Sequence, residues 1–297
     1  MTLSTEQRQE LFDVIERTGQ ARAALLDGRV IPKAYRAHQD RVTREERTLE
    51  FCGLAPVRVV ITKANNPVSN APIHVNMHGG GYWFHQNEDD DLYCAHIADC
   101  CGGTVVDVDY ATSPEYPFPM CFEQSYAVAK WAAEHAEELG ASPKRLSVGG
   151  LSAGGCLAAA VALRATATHD FDLCLQVLDC AAIDNVMAIK DSKSERNDAF
   201  SRLLCDGNLR LLESPYCSPA YAVDTMLASL PRTLIVNAGS CPFNAPNTVY
   251  GSRMAAQGVD VTIKTFVNSR HGFTVRMADE WQEAQSIIIR FINESGL

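Results

Sequence analysis

Between residues 145 and 166 the chain reads as a strand, a sharp turn and a helix, and the turn is Gly150-Leu151-Ser152-Ala153-Gly154-Gly155. The apolar run Leu146-Ser147-Val148 precedes it, and an alanine-rich stretch from Cys156 to Ala165 follows. A Gly-x-Ser-x-Gly pattern in that setting makes a strained turn that lifts the serine hydroxyl clear of a sheet, at the N-terminus of the next helix. The plainer reading is a glycine-rich connection with a capping serine. Partners for Ser152 elsewhere in the chain decide between the two.

The surrounding pattern repeats the same order. Strands are expected over residues 57–62, 73–77, 104–109, 145–149, 173–179, 233–238 and 259–266, with helices over 120–139, 153–166, 247–257 and 279–293. Alternation of this kind implies an α/β class fold, a mostly parallel sheet with helices on both faces. Ser4-Thr5-Glu6-Gln7 is a capping box ahead of Leu11, Val14 and Ile15 at helical spacing, and residues 1–50 read as a helical, charged segment. Residues 51–297 read as the main domain. The rhythm breaks over about 185–222, where Lys190-Asp191-Ser192-Lys193-Ser194-Glu195 and a leucine-rich piece around Leu203, Leu204, Leu209 and Leu211 suggest an insertion that forms part of a lid.

Composition narrows the class. At 297 residues and 46% hydrophobic content the chain can bury one large core. A formal charge of −10 repels phosphate and argues against a nucleic-acid or anionic-membrane partner. Residues 1–10 lack the basic-then-apolar pattern of a signal peptide. The apolar run 157–163 ends at Arg164, too short for stable membrane insertion, so a soluble, cytoplasmic protein is expected. The 11 cysteines are odd in number, irregularly spaced and free of a C-x-x-C pair, which suits reduced, mostly buried thiols. Cys94, His96, Cys100 and Cys101 fall on one expected helix but do not converge with a second ligand pair, so no metal is expected.

Two further stretches carry chemistry. His78-Gly79-Gly80-Gly81 follows the strand ending at Met77, and its run of glycines leaves backbone N–H groups unshielded, as stabilising a developing oxyanion requires. Tyr82, Trp83 and Phe84 come next and are expected to wall a pocket. His271-Gly272-Phe273 lies in the loop after the last strand, and paired with Ser152 it supplies a general base. The acidic run Glu88-Asp89-Asp90-Asp91 reads as a solvated helix start; its sharper reading is a mouth that disfavours anionic substrates.

Together these pieces resemble the hormone-sensitive-lipase-like esterases of the α/β-hydrolase fold. The likeness rests on His78-Gly79-Gly80-Gly81, the segment from Asp109 to Pro119 against the family's Tyr-Arg-Leu-Ala-Pro-Glu, the Ser152 turn, Ser218-Pro219 before Leu230-Pro231, and His271-Gly272-Phe273. It covers residues from about 55 to the C-terminus. The resemblance implies a serine esterase whose amino-terminal helices and 185–222 insertion cap the site. Ser152 would be the nucleophile, His271 the base, and the amides of Gly80, Gly81 and Ala153 the oxyanion hole, with no cofactor. The expected partner is a small, neutral ester; a homodimer is left open.

Two positions depart from the family. Leu151 stands where an acid usually precedes the nucleophile, and the Asp of the family's Asp-Pro-Leu segment is replaced by Cys241 in Cys241-Pro242-Phe243-Asn244. Cys241 can take the acid's place as a weak acceptor or a thiolate. Asp179, with Asp184 beside it, is the carboxylate alternative from a neighbouring strand. An incomplete triad would instead leave a slow hydrolase or a ligand-binding protein, and amide or lactone hydrolysis fits the same fold.

Overall fold

The computed structural model describes residues 2–24, 31–187 and 194–296, with the side chains of residues 20–24 excepted. Of the charged piece Lys190–Glu195, residues 190–193 lie outside the described residues. Eight strands form one sheet: β1 Val42–Leu49, β2 Val57–Ala64, β3 Ile73–Met77, β4 Thr104–Asp109, β5 Leu146–Leu151, β6 Leu175–Asp179, β7 Arg232–Ala238 and β8 Val261–Phe266. Their order is β1-β2-β4-β3-β5-β6-β7-β8, parallel from β4 onward and antiparallel at β1/β2 and β2/β4. The helices are α1 Thr5–Ala24, α2 Lys33–Arg36, α3 Glu88–Cys101, α4 Met120–Glu134, α5 Ala153–Thr168, α6 Glu195–Leu204, α7 Asp224–Leu227, α8 Asn244–Ala256 and α9 Trp281–Glu294.

The central strands β3, β5 and β6 are buried at every position, as a parallel sheet covered on both faces requires. Successive residues divide between two cores. Val106 and Val108 join the core under α4, α5 and α8, whereas Val105 faces α3 and α9. The alanine-rich α5 is buried nearly all round, because side chains this small let the helix lie close against β3, β5 and β6. A third cluster joins α1 to α6: Ile15 packs on Ala199 and Leu203, with Leu11, Phe12, Trp83 and Phe200 around them. Arg8–Asp206 and Arg17–Glu195 ion pairs flank that contact at 2.8 and 2.7 Å. The expected capping box starts α1, Ser4 and Gln7 exchanging hydrogen bonds of 2.9 and 3.1 Å.

The helical reading of residues 1–50 stops short of its expected end. Val42–Leu49 is a strand, paired with β2 from Val42 opposite Ala64 to Leu49 opposite Val57. Its Arg44, Glu45, Glu46 and Arg47 favour helix on propensity, but eight residues of pairing outweigh a preference of a few tenths of a kcal/mol each. The charges are matched by neighbours: Arg44 meets Glu46 and Asp91, Arg47 meets Glu45 and Glu138, and Arg58 meets Glu46. Among the described residues no helix is long and apolar enough to cross a membrane.

At the base of β5, buried Arg145 closes the end of α9. Its Nε donates to Ser295 O at 2.9 Å, Nη1 to Asn70 O at 2.8 Å, and Nη2 to Ile292 O at 3.1 Å and to Asn293 O. The Ile292 and Asn293 carbonyls lie in the last turn of α9, where acceptors lack intrahelical donors, so one side chain satisfies part of that terminus and ties it to the loop before β3. Arg145→Met is expected to lower unfolding stability by about 3 kcal/mol, the cost of stranding several buried acceptors. Urea denaturation measures it, and a loss below about 1 kcal/mol would mean that water replaces the guanidinium.

Candidate active site

Ser152 sits between β5 and α5 with φ 58° and ψ −114°, a conformation that side chains rarely adopt. The strain is tolerated because backbone bonds hold both sides of the residue. Ser152 N–H donates to Asp179 O at 2.9 Å, and Ser152 O accepts from Ala182 N–H at 2.9 Å and Cys156 N–H at 3.1 Å. Close packing sets the flanking residue types. A Cβ on Gly150 or Gly154 would run into the Met77 carbonyl oxygen at the end of β3.

That contact brings the glycine loop beside the serine. Gly80 and Gly81 have φ 134° and 66°, and their N–H groups donate to no other group among the described residues. Ala153 opens α5, so its N–H has no intrahelical acceptor either. All three residues line one pocket of about 550 Å³ with Ser152 and His271. Below the loop, His78 is buried against Tyr110, ring centroids 4.2 Å apart, and bonds Gly79 O through Nδ1 at 2.8 Å. Burial opposes its charge, but Asp109, 3.6 Å from Nε2, together with Asp90 and Asp107, raises it above the usual imidazole value. Asp107 is itself pushed up to about 6 and Asp90 to about 7, mainly by burial.

His271 faces Ser152 from the loop after β8, Nε2 to Oγ 3.0 Å. On its other side Nδ1 lies 3.1 Å from Cys241 Sγ. Asp179 goes elsewhere: its Oδ2 accepts from the Thr274 hydroxyl, and Oδ1 has no hydrogen-bond partner among the described residues. Asp184 accepts from Met187 N–H at 2.8 Å. Burial pushes Asp179 up to about 7.

One member of the site was not singled out from sequence. Cys180, directly after β6, meets Cys241 after β7, and with His271 one side-chain N or S atom of each lies within 4.8 Å of the others. Cysteines at the ends of two expected neighbouring strands were the available signal. The Cys180 thiol, and then His271, lower Cys241 to about 5 against the opposing effect of burial. Cys180 is pushed the other way, well up.

The rest of the pocket departs in places from expectation. Tyr82 and Phe84 line it, but Trp83 turns away to pack on Phe12 of α1 at 4.7 Å. Leu151 packs against Gly79, bracing the glycine loop. The acidic run does start a helix, α3, capped by Asn87, yet Asp90 is buried and returns a bond to Asn87 N–H at 3.0 Å. Asp89 and Asp90 line the pocket, as do Arg196, Arg270 and Arg276, so its wall carries both signs of charge.

Comparison with known proteins bears on the fold that carries this pocket. A family model described as an alpha/beta hydrolase fold matches residues 74–275. Esterase LipI of Mycobacterium tuberculosis is 32% identical over 217 residues, 69% of this chain and 66% of that protein. Carboxylesterase NlhH of the same organism is 29% identical over 239 residues, 77% of this chain and 75% of that protein. The chain thus spans about two thirds to three quarters of the length of these relatives. Among solved structures, the hyperthermophilic esterase of the archaeon Pyrobaculum calidifontis superposes with a TM-score of 0.79 at 27% identity, covering 99% of this chain and 98% of that one. Carboxyl esterase 2 of the fungus Tuber melanosporum gives 0.79 at 25% identity, over 94% and 98%.

The inverted acidity of the thiol is directly measurable. A thiolate-absorbance titration of the wild type against Cys241→Ser should show one group ionising near pH 5, its thiolate present above that value. Buried thiols such as Cys121 and Cys156, raised to about 12, stay silent there. An unchanged low-pH signal in Cys241→Ser would overturn the assignment.

Proposed function

The chain belongs to the α/β-hydrolase-fold family, with the likeness to hormone-sensitive-lipase-like esterases intact, and we propose that it cleaves a small, neutral carboxylic ester through an acyl-enzyme on Ser152. The supporting observation is the unbroken line of contacts Ser152 Oγ, His271 Nε2, His271 Nδ1, Cys241 Sγ at 3.0 and 3.1 Å.

Which way the proton lies in the second contact decides whether the line can work. If the Cys241 thiol donated to Nδ1, the neutral ring would carry its proton on Nε2 and could not take one from Ser152. If Cys241 accepts, Nδ1 holds the proton and Nε2 presents a lone pair. Cys180 supports the second arrangement, since its thiol lies beside the Cys241 sulfur and favours the thiolate. Cys241 then orients His271 and stabilises the imidazolium that forms.

The sequence of steps follows. Ser152 Oγ attacks the ester carbonyl as its proton passes to His271 Nε2. The carbonyl oxygen takes the negative charge, held by the N–H groups of Gly80, Gly81 and Ala153, each such donor being worth about 3 kcal/mol in the transition state. Collapse expels the alkoxide, which receives the proton from His271. A water molecule, deprotonated by His271, then attacks the acyl-enzyme and releases the acid and free Ser152. The chemistry uses no cofactor. Helices α1 and α6 act as the cap, with Phe84 and Phe200 forming its apolar lining.

Two experiments test this reading. With p-nitrophenyl esters and a fluorophosphonate probe, wild type should turn over and label while Ser152→Ala does neither. Cys241→Ala should lose on the order of a hundredfold or more in kcat, and Cys241→Asp should at least match wild type. A wild type that neither labels nor turns over would be a ligand-binding member of the fold. Equal activity of Cys241→Ala and wild type would remove the thiolate from the triad.

The second concerns charge. Arg270 is neutralised by Asp279 at 3.0 Å, and Arg196 lies over Phe200 with Cζ 5.1 Å from the ring centroid. With Asp89 and Asp90 also on the wall, a neutral ester is expected to show a higher kcat/KM than a carboxylated ester of equal size. The reverse order would instead make Arg196 and Arg276 a carboxylate-binding pair.

A further inference from the structure

We propose that His38, His96 and Cys100 form a binding site for a divalent zinc-class ion, away from the catalytic pocket. One donor atom from each of the three lies within 4.8 Å of the others. A tetrahedral ion with bonds of about 2.0–2.3 Å holds its ligand atoms roughly 3.3–3.8 Å apart, so closure needs side-chain shifts of only about 1 Å. His96 and Cys100 are one helical turn apart on α3 and share a face. The third donor comes from the segment between α2 and β1, which is the second element that a reading of α3 alone lacks.

The contacts of both rings favour the tautomer that a metal needs. His96 Nδ1 is 2.6 Å from Gln285 Oε1, an oxygen that can only accept, so Nδ1 carries the hydrogen and Nε2 the lone pair. His38 Nδ1 is 2.6 Å from Asp99 Oδ2, with the same result. Arg41 Nη2 also approaches His38 Nδ1, at 2.7 Å, but as a pure donor it cannot bond a nitrogen that is itself donating. The charged acceptor keeps the proton, and Arg41 instead braces Asp99 through Nε at 2.8 Å. No hydrogen bond engages Nε2 of either ring among the described residues. An imidazole that donates Nδ1–H to a carboxylate or amide oxygen and offers Nε2 outward is the arrangement found around bound zinc.

The charges and the access also suit a cation. Cys100 is exposed, so an ion can enter from solvent and leave one position for water. Burial and Asp99 favour the neutral Cys100 thiol, so an ion binds by displacing its proton, and the thiolate then formed together with Asp99 outweighs Arg41. Two imidazoles and one thiolate select zinc, cobalt or cadmium over magnesium or calcium. None of the three residues lines the catalytic pocket. Bound metal would tie the α2–β1 connection to α3, and through Gln285 to α9.

The test uses the whole chain, stripped by chelator and titrated with Co2+ and Zn2+. The expected result is one saturable Co2+ equivalent with thiolate-to-cobalt absorption. Cys100→Ser should abolish that absorption, and His38→Gln should weaken binding by at least about tenfold. Zn2+ should raise the melting temperature of the wild type but not of Cys100→Ser, and one equivalent should leave ester turnover in place. These binding and melting readouts do not depend on the chain being an esterase. Absence of saturable binding overturns the proposal. So does thiolate–cobalt absorption that survives Cys100→Ser and disappears in Cys241→Ser, which would put the ion on Cys180, Cys241 and His271.

Discussion

The Met77 carbonyl at the end of β3 presses against Gly150 and Gly154, and the whole site hangs on that approach. It is closer than any side chain would allow, so the glycine loop leaving β3 and the turn leaving β5 share one small volume. Strain at Ser152, of the order of 1–3 kcal/mol for such backbone, is held by bonds to Asp179, Ala182 and Cys156 on the neighbouring chain segments. Ser152 and the N–H groups of Gly80, Gly81 and Ala153, the proposed nucleophile and oxyanion donors, are thus positioned by backbone, and the residues that matter most there are those with least side chain.

The other half of the site is governed by side-chain electrostatics, and it inverts the usual order of acidity. A carboxyl ordinarily ionises far below a thiol. Here burial lifts Asp179 to about 7, while the Cys180 thiol and His271 draw Cys241 down to about 5. Between those values the sulfur is the charged partner and the carboxyl the neutral one. Asp179 is the nearer match by residue type, but its environment gives it the wrong charge and its geometry gives it Thr274.

Much of this was legible in residue order. Ser152, His271 and the glycines each stood in a strand-to-loop context and acquired a chemical reading from one another, and Cys241 was located by matching the family's Asp-Pro-Leu segment. What escaped depended on pairing across long sequence separations. Val42–Leu49 became a strand because β2 offered a partner, not because its residues favour one. Trp83 left the pocket because Phe12 of α1 offered a face. Cys180 joined the site because β6 and β7 end side by side, and His38 met α3 because the chain passes over that helix on its way to β1.

The edge strand β1 carries one more consequence. Arg44, Glu45, Glu46 and Arg47 sit in succession on the outer strand, each already matched to a charge on the same molecule. A foreign strand adding to that edge would have to strip water from several ion pairs at once, for backbone bonds worth about 1 kcal/mol each. Charge on this side therefore disfavours edge-to-edge stacking of the sheet.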